Sequence, residues 1–293
     1  MNRRYEFKQL NPIVSFVHIV LLFVLTMLTF NPIIILISLI FSIINCFIYY
    51  GRAFYKGLIL NFVIIILMGL INPIISHNGK HVLFVLLGNY TLESMIFGLV
   101  SGSLVSSVIN HSKVLGFIID TGKFNYLFGR IMPKTSLVMS ISYNYIPRLK
   151  REHQEIDDSL KALGYYSSPK RRDLIRGKLK SYSMLITWSL ENSIETADSM
   201  VARGFTTARR TYYLSARFRF IDYLFLAISI ALGGLGIYSI IRFNDFVYYP
   251  LIKGFDFTNE KILMYVIILA FNMMIVLLEG GYLLRWHYLK SKI

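Results

Sequence analysis

Few side chains in this sequence have both the types and the spacing that chemistry requires. Residues 116–123 read GFIIDTGK, which is similar to a phosphate-binding loop. The spacing between its glycines is one residue too long, and Phe124 stands where the loop needs Ser or Thr. A possible metal-binding group consists of His153, Glu155, Asp157 and Asp158. Because these residues fall on one predicted helix, a solvated acidic face explains them better, and we predict no metal and no cofactor.

Three ionisable residues, His18, Glu93 and Glu279, lie inside or at the edges of apolar segments. Ionisable groups in a membrane are costly, so each is a functional candidate by default. Glu93 and Glu279 fall near the predicted ends of their segments, where water can reach them. His18 has no evident partner in the sequence. Together the three do not predict a coherent catalytic set.

The composition is that of a multi-spanning membrane protein. Of the 293 residues, 55% are hydrophobic, 15% are aromatic and only 16% are charged. The formal charge of +15 lies at the ends of apolar segments and in a central insert. This placement indicates membrane topology, so we predict no nucleic-acid partner. Cys46 is the single cysteine, which excludes a disulfide within the chain.

Six apolar segments approach the roughly 20 residues that cross a bilayer. They are residues 13–30, 33–50, 58–75, 82–109, 221–241 and 262–284. Polar residues Asn89, Thr91 and Glu93 interrupt the fourth segment, so the span itself is predicted to begin after Tyr90. We predict that the first segment is retained rather than cleaved. The predicted fold is an all-α integral membrane protein with about six transmembrane helices and an insert of amphipathic helices.

Lysines and arginines are distributed unequally between the two ends of these segments. Arg3, Arg4 and Lys8 precede the first span, Arg52 and Lys56 follow the second, and the basic insert follows the fourth. The loops on the opposite face carry few basic residues, and acidic residues balance most of them. The positive-inside rule therefore predicts that the insert and both termini are cytoplasmic.

We predict four regions along the chain. Residues 1–110 hold about four spans, 111–147 form a segment between the spans and the insert, 148–220 form the insert, and 221–293 hold two spans. Residues 111–147 mix apolar and basic positions, which fits a segment lying along the membrane surface. A seventh buried helix in this region is the alternative.

The insert is the most basic part of the chain. Residues 148–219 hold 15 of the 31 lysines and arginines. Helices are predicted at residues 147–163 and 176–203. Apolar positions of the second helix step by three or four and form one stripe. The stripe consists of Leu179, Tyr182, Ile186, Leu190, Ile194, Ala197 and Val201.

Both predicted helices end in a similar pattern. The first ends in Ala162-Leu163-Gly164-Tyr165, and the second ends in Ala202-Arg203-Gly204-Phe205. Glycine just past a helix end and a cation in the last turn are typical of C-terminal caps. Two interpretations stay open: ordinary helix caps, or a matched pair of docking tips.

Four stretches of the chain carry a family resemblance. They are Asn11-Pro12, Leu127-Phe128-Gly129-Arg130, Pro147-Arg148 and, most specifically, residues 189–205, which end in ADSMVARGF. Over about two-thirds of its length the chain resembles the transmembrane T component of energy-coupling factor (ECF) transporters, the EcfT/CbiQ family. These proteins are prokaryotic plasma-membrane subunits of vitamin and metal importers.

The resemblance implies a non-enzymatic scaffold that joins two ABC ATPase subunits to a substrate-binding S component in the membrane. Its two cytoplasmic coupling helices end in Ala-Arg-Gly motifs, and each arginine docks in one ATPase. Ala202, Arg203 and Gly204 match the second motif, and Ala162 and Gly164 match the first. Leu163 stands in place of the first arginine, which suggests two non-identical ATPases, or a substitute contact by Lys161. The stripe residues Tyr182, Ile186, Leu190, Ile194 and Val201 would press on the S component.

Two other functions compete with the scaffold. A lipid-modifying membrane enzyme would use His18 or Glu93 as a buried acid or base, but it leaves the insert unexplained. A stand-alone secondary transporter should show internal repeats and paired interrupted spans. The sequence shows neither of these features.

Overall fold

The computed structural model describes residues 6–76, 79–85, 89–129, 131–166, 171–205 and 217–290. Within these ranges, the side chains of residues 6, 83–85, 89 and 282–290 are not described. The chain forms two compact units. Residues 1–120 and 216–293 form the membrane unit, and residues 121–215 form the insert unit.

The described residues are almost entirely helical. The helices are α1 (Glu6–Gln9), α2 (Pro12–Met27), α3 (Pro32–Tyr50), α4 (Tyr55–Ile75), α5 (Leu92–Ile118), α6 (Thr121–Phe128), α7 (Pro133–Ala162), α8 (Arg171–Ala202), α9 (Phe220–Phe243) and α10 (Asn259–Lys290). A short 3₁₀ turn, Gly51–Phe54, joins α3 to α4, and strands β1 (Val82–Val85) and β2 (Asn89–Thr91) pair antiparallel.

Four helical runs of the membrane unit are long and apolar enough to cross a bilayer: Pro32–Ile75, Leu92–Ile118, Phe220–Phe243 and Asn259–Gly281. The shorter apolar helix α2 has 16 residues. The 44-residue run contains two spans, because the chain reverses at Gly51, whose φ is 56°. The six predicted apolar segments are thus all represented by helices, which confirms the predicted all-α membrane fold.

Contacts with α5 show this reversal. Along α3, Ser38 Oγ lies 2.7 Å from Ser107 Oγ, and Tyr50 donates to the carbonyl of Lys113, so α3 and α5 run parallel. Along α4, Asn61 contacts Asn110 whereas Asn72 donates to the carbonyl of Ser94, so α4 and α5 run antiparallel. Helices α3 and α4 therefore cross the unit in opposite directions.

Asparagine–proline pairs start the first two spans. The side chains of Asn11 and Asn31 accept hydrogen bonds from the backbone N–H groups of Ile13 and Ile33. Pro12 and Pro32 occupy the first helical positions, where the missing N–H costs nothing. Each Asn-Pro pair is therefore a local helix start.

The fourth apolar segment, residues 82–109, was predicted to end too early. Val82–Val85 is a strand, and α5 begins at Leu92 and continues to Ile118. Thr91 caps α5, because its side chain accepts from the backbone N–H of Ser94. The expectation that the span begins after Tyr90 is confirmed.

The membrane unit has two distinct ends. Phe7 and Tyr49 contact Glu279 at one end, which is also the end where α5 finishes and α9 begins. We call it the insert end, because the chain leaves the unit there for residues 121–215 and returns there. At the opposite end the β-hairpin leads into α5, and Asn31 contacts Asn244. All helix ends predicted to share the cytoplasmic face gather at the insert end.

The first insert helix begins earlier than the sequence predicts. A helix start was expected at Pro147, but α7 begins at Pro133 and contains Pro147 in its interior. Residues 111–147 hold the end of α5, all of α6 and the first half of α7. Whether this stretch lies along the membrane stays a prediction, as does the four-region division. Arg3, Arg4 and Arg130 lie outside the described residues.

Candidate functional site: the two ends of the insert hairpin

Helices α7 and α8 form an antiparallel hairpin with a fixed register. The ring of Tyr145 stacks on Trp188, with centroids 6.0 Å apart, and its hydroxyl donates to the carbonyl of Ser189. Farther along, the ring of His153 stacks on Tyr182 at 5.2 Å, and His153 Nδ1 lies 3.2 Å from Ser181 Oγ. As residue numbers rise along α7 they fall along α8, so the two helix ends point away from each other.

Helix α8 faces α7 with small and polar side chains. Gly177, Ser181 and Asn192 are buried, and a Cβ on Gly177 would lie 2.7 Å from the ring of Tyr166. The hydroxyl of Tyr166 donates to Asp157 Oδ1 at 3.1 Å. Hydrogen bonds from Ser181 and then from Tyr166 lower the pKa of the Asp157 carboxyl. Close approach and polar contacts therefore hold the hairpin together with the aromatic stacks.

The apolar stripe of α8 lies on the far side of the helix. Tyr182, Ile186, Leu190, Ile194 and Val201 are between 53% and 64% exposed. At about 100° per residue, Ile186, Leu190, Ile194 and Val201 lie roughly opposite the face formed by Ser181 and Asn192, whereas Tyr182 lies to one side, where its ring stacks on His153. Ordinary soluble helices bury such a stripe. This one is left uncovered in the part of the chain that the structure describes.

Helix α7 ends in a Schellman motif at Gly164. The N–H of Gly164 donates to Lys161 O at 2.9 Å, and the N–H of Tyr165 donates to Leu160 O at 3.0 Å. Gly164 has φ of 81°, in the left-handed region that favours glycine. The predicted helix cap is confirmed here.

Helix α8 ends in the same motif at Gly204. The N–H of Gly204 donates to Val201 O at 2.9 Å, and the N–H of Phe205 donates to Met200 O at 3.1 Å. Gly204 has φ of 79°. Each residue of the first motif therefore has a geometrical counterpart in the second.

Leu163 and Arg203 occupy the same position, immediately before the glycine, in the two motifs. Leu163 is 73% exposed, and Arg203 is also exposed. Ala162 and Ala202 precede them, and Tyr165 and Phe205 follow the glycines as exposed aromatics. The two tips thus share a backbone geometry and differ in one side chain, which is apolar in one and cationic in the other.

Lys161 stands two residues before Leu163 of the first tip, and it is already paired. Its Nζ lies 2.8 Å from Asp158 Oδ1, and this hydrogen bond raises the pKa of the ammonium group. Both side chains are mostly exposed. A Lys161 contact in place of the missing arginine would therefore have to compete with Asp158.

Comparison with known families matches this hairpin and most of the membrane unit. The sequence model of the CbiQ family, described as cobalt transport protein, matches residues 3–213. The chain belongs to the CbiQ family. No curated protein matches the chain. The matched range includes α7, α8 and both tips, and it ends before α9.

Membership in the CbiQ family makes this chain a component of a transport system and a membrane protein. This result favours a transporter component over an enzyme. The predicted resemblance to the EcfT/CbiQ family is thereby confirmed.

The other candidates in this CbiQ-family chain do not come together. His153 Nε2 lies 3.9 Å from Asp157 Oδ2, whereas Asp158 pairs with Lys161. Among the residues that the structure describes, no three His, Cys, Asp or Glu side chains could share a metal ion. Residues 116–123 run from the end of α5 into α6.

The three ionisable residues near the spans have separate partners. His18 Nδ1 lies 3.0 Å from Ser229 Oγ, inside a group of aromatic rings. Glu93 accepts from His81 at 2.8 Å beside the β-hairpin. Glu279 accepts from Phe7 and Tyr49 at the insert end.

Sequence reasoning missed the residues that set the hairpin register. Tyr145 and Trp188 were not singled out. Arg148 was named only as part of the family resemblance, and its guanidinium lies 5.5 Å from the Trp188 ring centroid. It also missed Asn125 of α6, which contacts Ser136 and Ser140 of α7. An aromatic at a helical position is an ordinary packing signal, so nothing in the sequence distinguished these pairs.

Proposed function

We propose that this chain is the transmembrane coupling subunit of an ECF-type ABC importer. Its insert hairpin docks two ATPase subunits, one at each tip, and contacts a substrate-binding S component in the membrane through the α8 stripe. ATP hydrolysis takes place in the ATPases, and another subunit selects the vitamin or metal ion. The observation that carries this proposal is the pair of equivalent, exposed tips at Gly164 and Gly204.

The distance between the tips suits two docking partners rather than one. In the hairpin register, the end of α7 lies beside the start of α8, whereas Arg203 follows the other end of α8. Helix α8 has 32 residues, so at 1.5 Å per residue it separates the tips by about 48 Å. A single groove on one globular subunit does not extend that far. Two subunits of a dimer, each with its own groove, fit the separation.

The chemical difference between the tips favours two non-identical ATPases. Arg203 offers a planar guanidinium that suits a carboxylate-lined groove. Leu163 offers no charge, and its exposed side chain suits an apolar groove. A pair of identical ATPases would meet a mismatch at one tip.

The uncovered stripe supports a partner of an apolar kind. Tyr182, Ile186, Leu190, Ile194 and Val201 form one continuous exposed row along α8. Contiguous apolar surface of this kind marks sites of protein or membrane interaction. An S component embedded in the bilayer presents such an apolar surface.

The positive charge at the insert end supports placing this end on the cytoplasmic side of the cell membrane. Lys8, Arg52, Lys56 and Lys113 all belong to this end of the membrane unit, close to the positions where the chain enters the insert. Positive residues mark cytoplasmic loops. The tips therefore reach the compartment that contains ATP.

The decisive experiment is Arg203→Glu, made in the tagged protein and purified from its native membrane. We expect loss of ATPase recruitment with normal membrane insertion. Removing one partner of a charge pair that is buried in an interface costs about 2–5 kcal/mol, and docking would bury Arg203 in this way. The matched control is Arg176→Glu, a charge reversal at an exposed position of the same helix. The control should retain full ATPase content.

Full ATPase content in Arg203→Glu would contradict the proposal. A wild-type chain that purifies without any ATPase would favour the lipid-modifying enzyme or the stand-alone transporter instead. Neighbouring genes provide a quick independent check. An adjacent pair of ATPase genes supports the scaffold, and two distinct ATPase sequences support the difference between the tips.

A further inference from the structure

A buried acid of α10 holds the start of the chain in place. The Oε1 atom of Glu279 accepts from the backbone N–H of Phe7 and from the hydroxyl of Tyr49, both at 3.1 Å. Ser15 Oγ donates to the carbonyl of Phe7 at 3.1 Å. The Phe7 ring is fully buried and lies edge-on to His18. Phe7 of α1 is therefore attached to both α10 and α2.

A second buried acid, at the start of α9, holds the same segment four residues later. Asp222 Oδ1 accepts from the backbone N–H of Asn11 at 3.2 Å, and Asp222 Oδ2 accepts from the N–H of Arg219 at 2.7 Å. Arg219 Nη2 donates to the carbonyl of Gln9 at 2.9 Å. Residues 7–11, the N-terminal segment, are thus bound to the residues with which the chain re-enters the membrane unit.

The N-terminal segment also touches the residues by which the chain leaves the membrane unit. Lys8 Nζ lies 4.7 Å from the centroid of the Phe117 ring. Phe117 stands three residues before Asp120, where the first part of the unit ends, and Arg219 stands three residues after Ala216, where the second part begins. One five-residue segment therefore contacts both stretches of the membrane unit that adjoin the insert in the sequence. We call these stretches, residues 112–120 and 217–224, the crossings.

The two acids that hold the N-terminal segment are buried. Glu279 is 2% exposed and Asp222 is 1% exposed. Burial of a carboxylate is costly unless hydrogen bonds satisfy it. Both carboxylates accept from backbone N–H groups of the same segment, and charge-assisted bonds of this kind are strong and directional. An apolar side chain would cover the segment without fixing its register.

We propose that residues 7–11 form a brace that ties the two crossings together, with Glu279 and Asp222 as its anchors. The end of α5 and the start of α9 are then held to each other where the chain leaves and re-enters the membrane unit. The mechanical link can be tested on this chain alone. Its use in transmitting ATPase motion rests on the proposed function.

The test is hydrogen–deuterium exchange of the full chain in lipid nanodiscs, comparing wild type with Glu279→Gln and Asp222→Asn. Each variant removes the charge from one anchor, so amide exchange of residues 7–11 should rise roughly tenfold. In Glu279→Gln, exchange should also rise at both crossings, in peptides 112–120 and 217–224, although Glu279 contacts neither. The matched control is Glu260→Gln, an exposed acid in the first turn of the same helix. It should leave all three peptides unchanged.

Ser15→Ala provides a milder variant if an anchor variant does not fold. It removes only the bond to the Phe7 carbonyl, and exchange of residues 7–11 should rise about fivefold. Faster exchange in residues 7–11 with unchanged exchange at both crossings would overturn the brace. Unchanged exchange in residues 7–11 would overturn the anchoring role of the acids. ATPase content, measured in the same preparations, reports the proposed function separately, because these variants leave both tips intact.

Discussion

The second tip depends on one backbone conformation, and Gly204→Ala perturbs it directly. Gly204 has φ of +79°, where a residue with a Cβ pays about 1–2 kcal/mol. Two hydrogen bonds depend on this conformation: Gly204 N–H to Val201 O and Phe205 N–H to Met200 O. Arg203 lies directly before the turn. When the turn opens, the backbone of Arg203 is therefore no longer held by the helix cap.

The expected magnitude follows from this strain. A penalty of about 1–2 kcal/mol lowers the population of the ordered tip by a factor of about 5–30 relative to the frayed one. If the ATPase binds only the ordered tip, the apparent affinity for the ATPase pair falls by up to the same factor. Gly204→Asn should recover part of the loss, because asparagine tolerates the left-handed region better than alanine.

The assay is titration of the ATPase pair onto the chain in nanodiscs, with binding followed by fluorescence. Gly116→Ala is the control, since Gly116 lies in α5 with no atom within 4 Å of an added Cβ. Equal affinity in wild type, Gly204→Ala and Gly204→Asn would refute the reasoning that the ordered tip is the docking element. Loss in both variants without recovery in Gly204→Asn would mean that the absence of a side chain, rather than the φ angle, is what matters.

Two further predictions concern the first tip and the hairpin. Leu163→Arg changes the exposed position that is equivalent to Arg203. The variant should be tolerated or should change which ATPase is preferred, as measured by the ATPases that co-purify. Complete loss of assembly would show that this tip needs an apolar group. Ser181→Ala should destabilise the hairpin by about 1 kcal/mol, because it removes the hydroxyl beside His153. Thermal unfolding monitored by circular dichroism would show this shift, and the exposed Ser183→Ala on the same helix should unfold as wild type does.

Features with a local cause were predictable from the sequence. The Asn-Pro helix starts depend on residues that are adjacent in the chain, and the two glycine caps depend on a single left-handed residue each. Span-length apolar runs identify membrane helices because the bilayer sets their length. The helical spacing of the apolar residues likewise predicted a stripe along α8 that ends at Val201.

Features with a non-local cause were not predictable. Pro147 predicted a helix start, because proline at the first turn costs nothing, yet α7 accommodates it in its interior. Because residues 82–85 are apolar, the sequence placed them in the fourth apolar segment. In the structure they pair with residues 89–91 and form a strand. In each case the sequence allows two local structures, and contacts elsewhere select one.

The sequence alone established a helical membrane protein with a basic insert and two capped tips, because hydrophobic length, charge placement and glycine caps act within a few residues. The structure decided which face of α8 is covered, since small residues such as Gly177 and Ser181 allow close approach to α7 and leave the apolar stripe exposed. It also decided the roles of Glu279 and Asp222, which bind a segment more than 200 residues away in the chain. Hydrogen bonds between such distant residues depend on how the helices assemble in three dimensions, and no periodicity in the sequence encodes them.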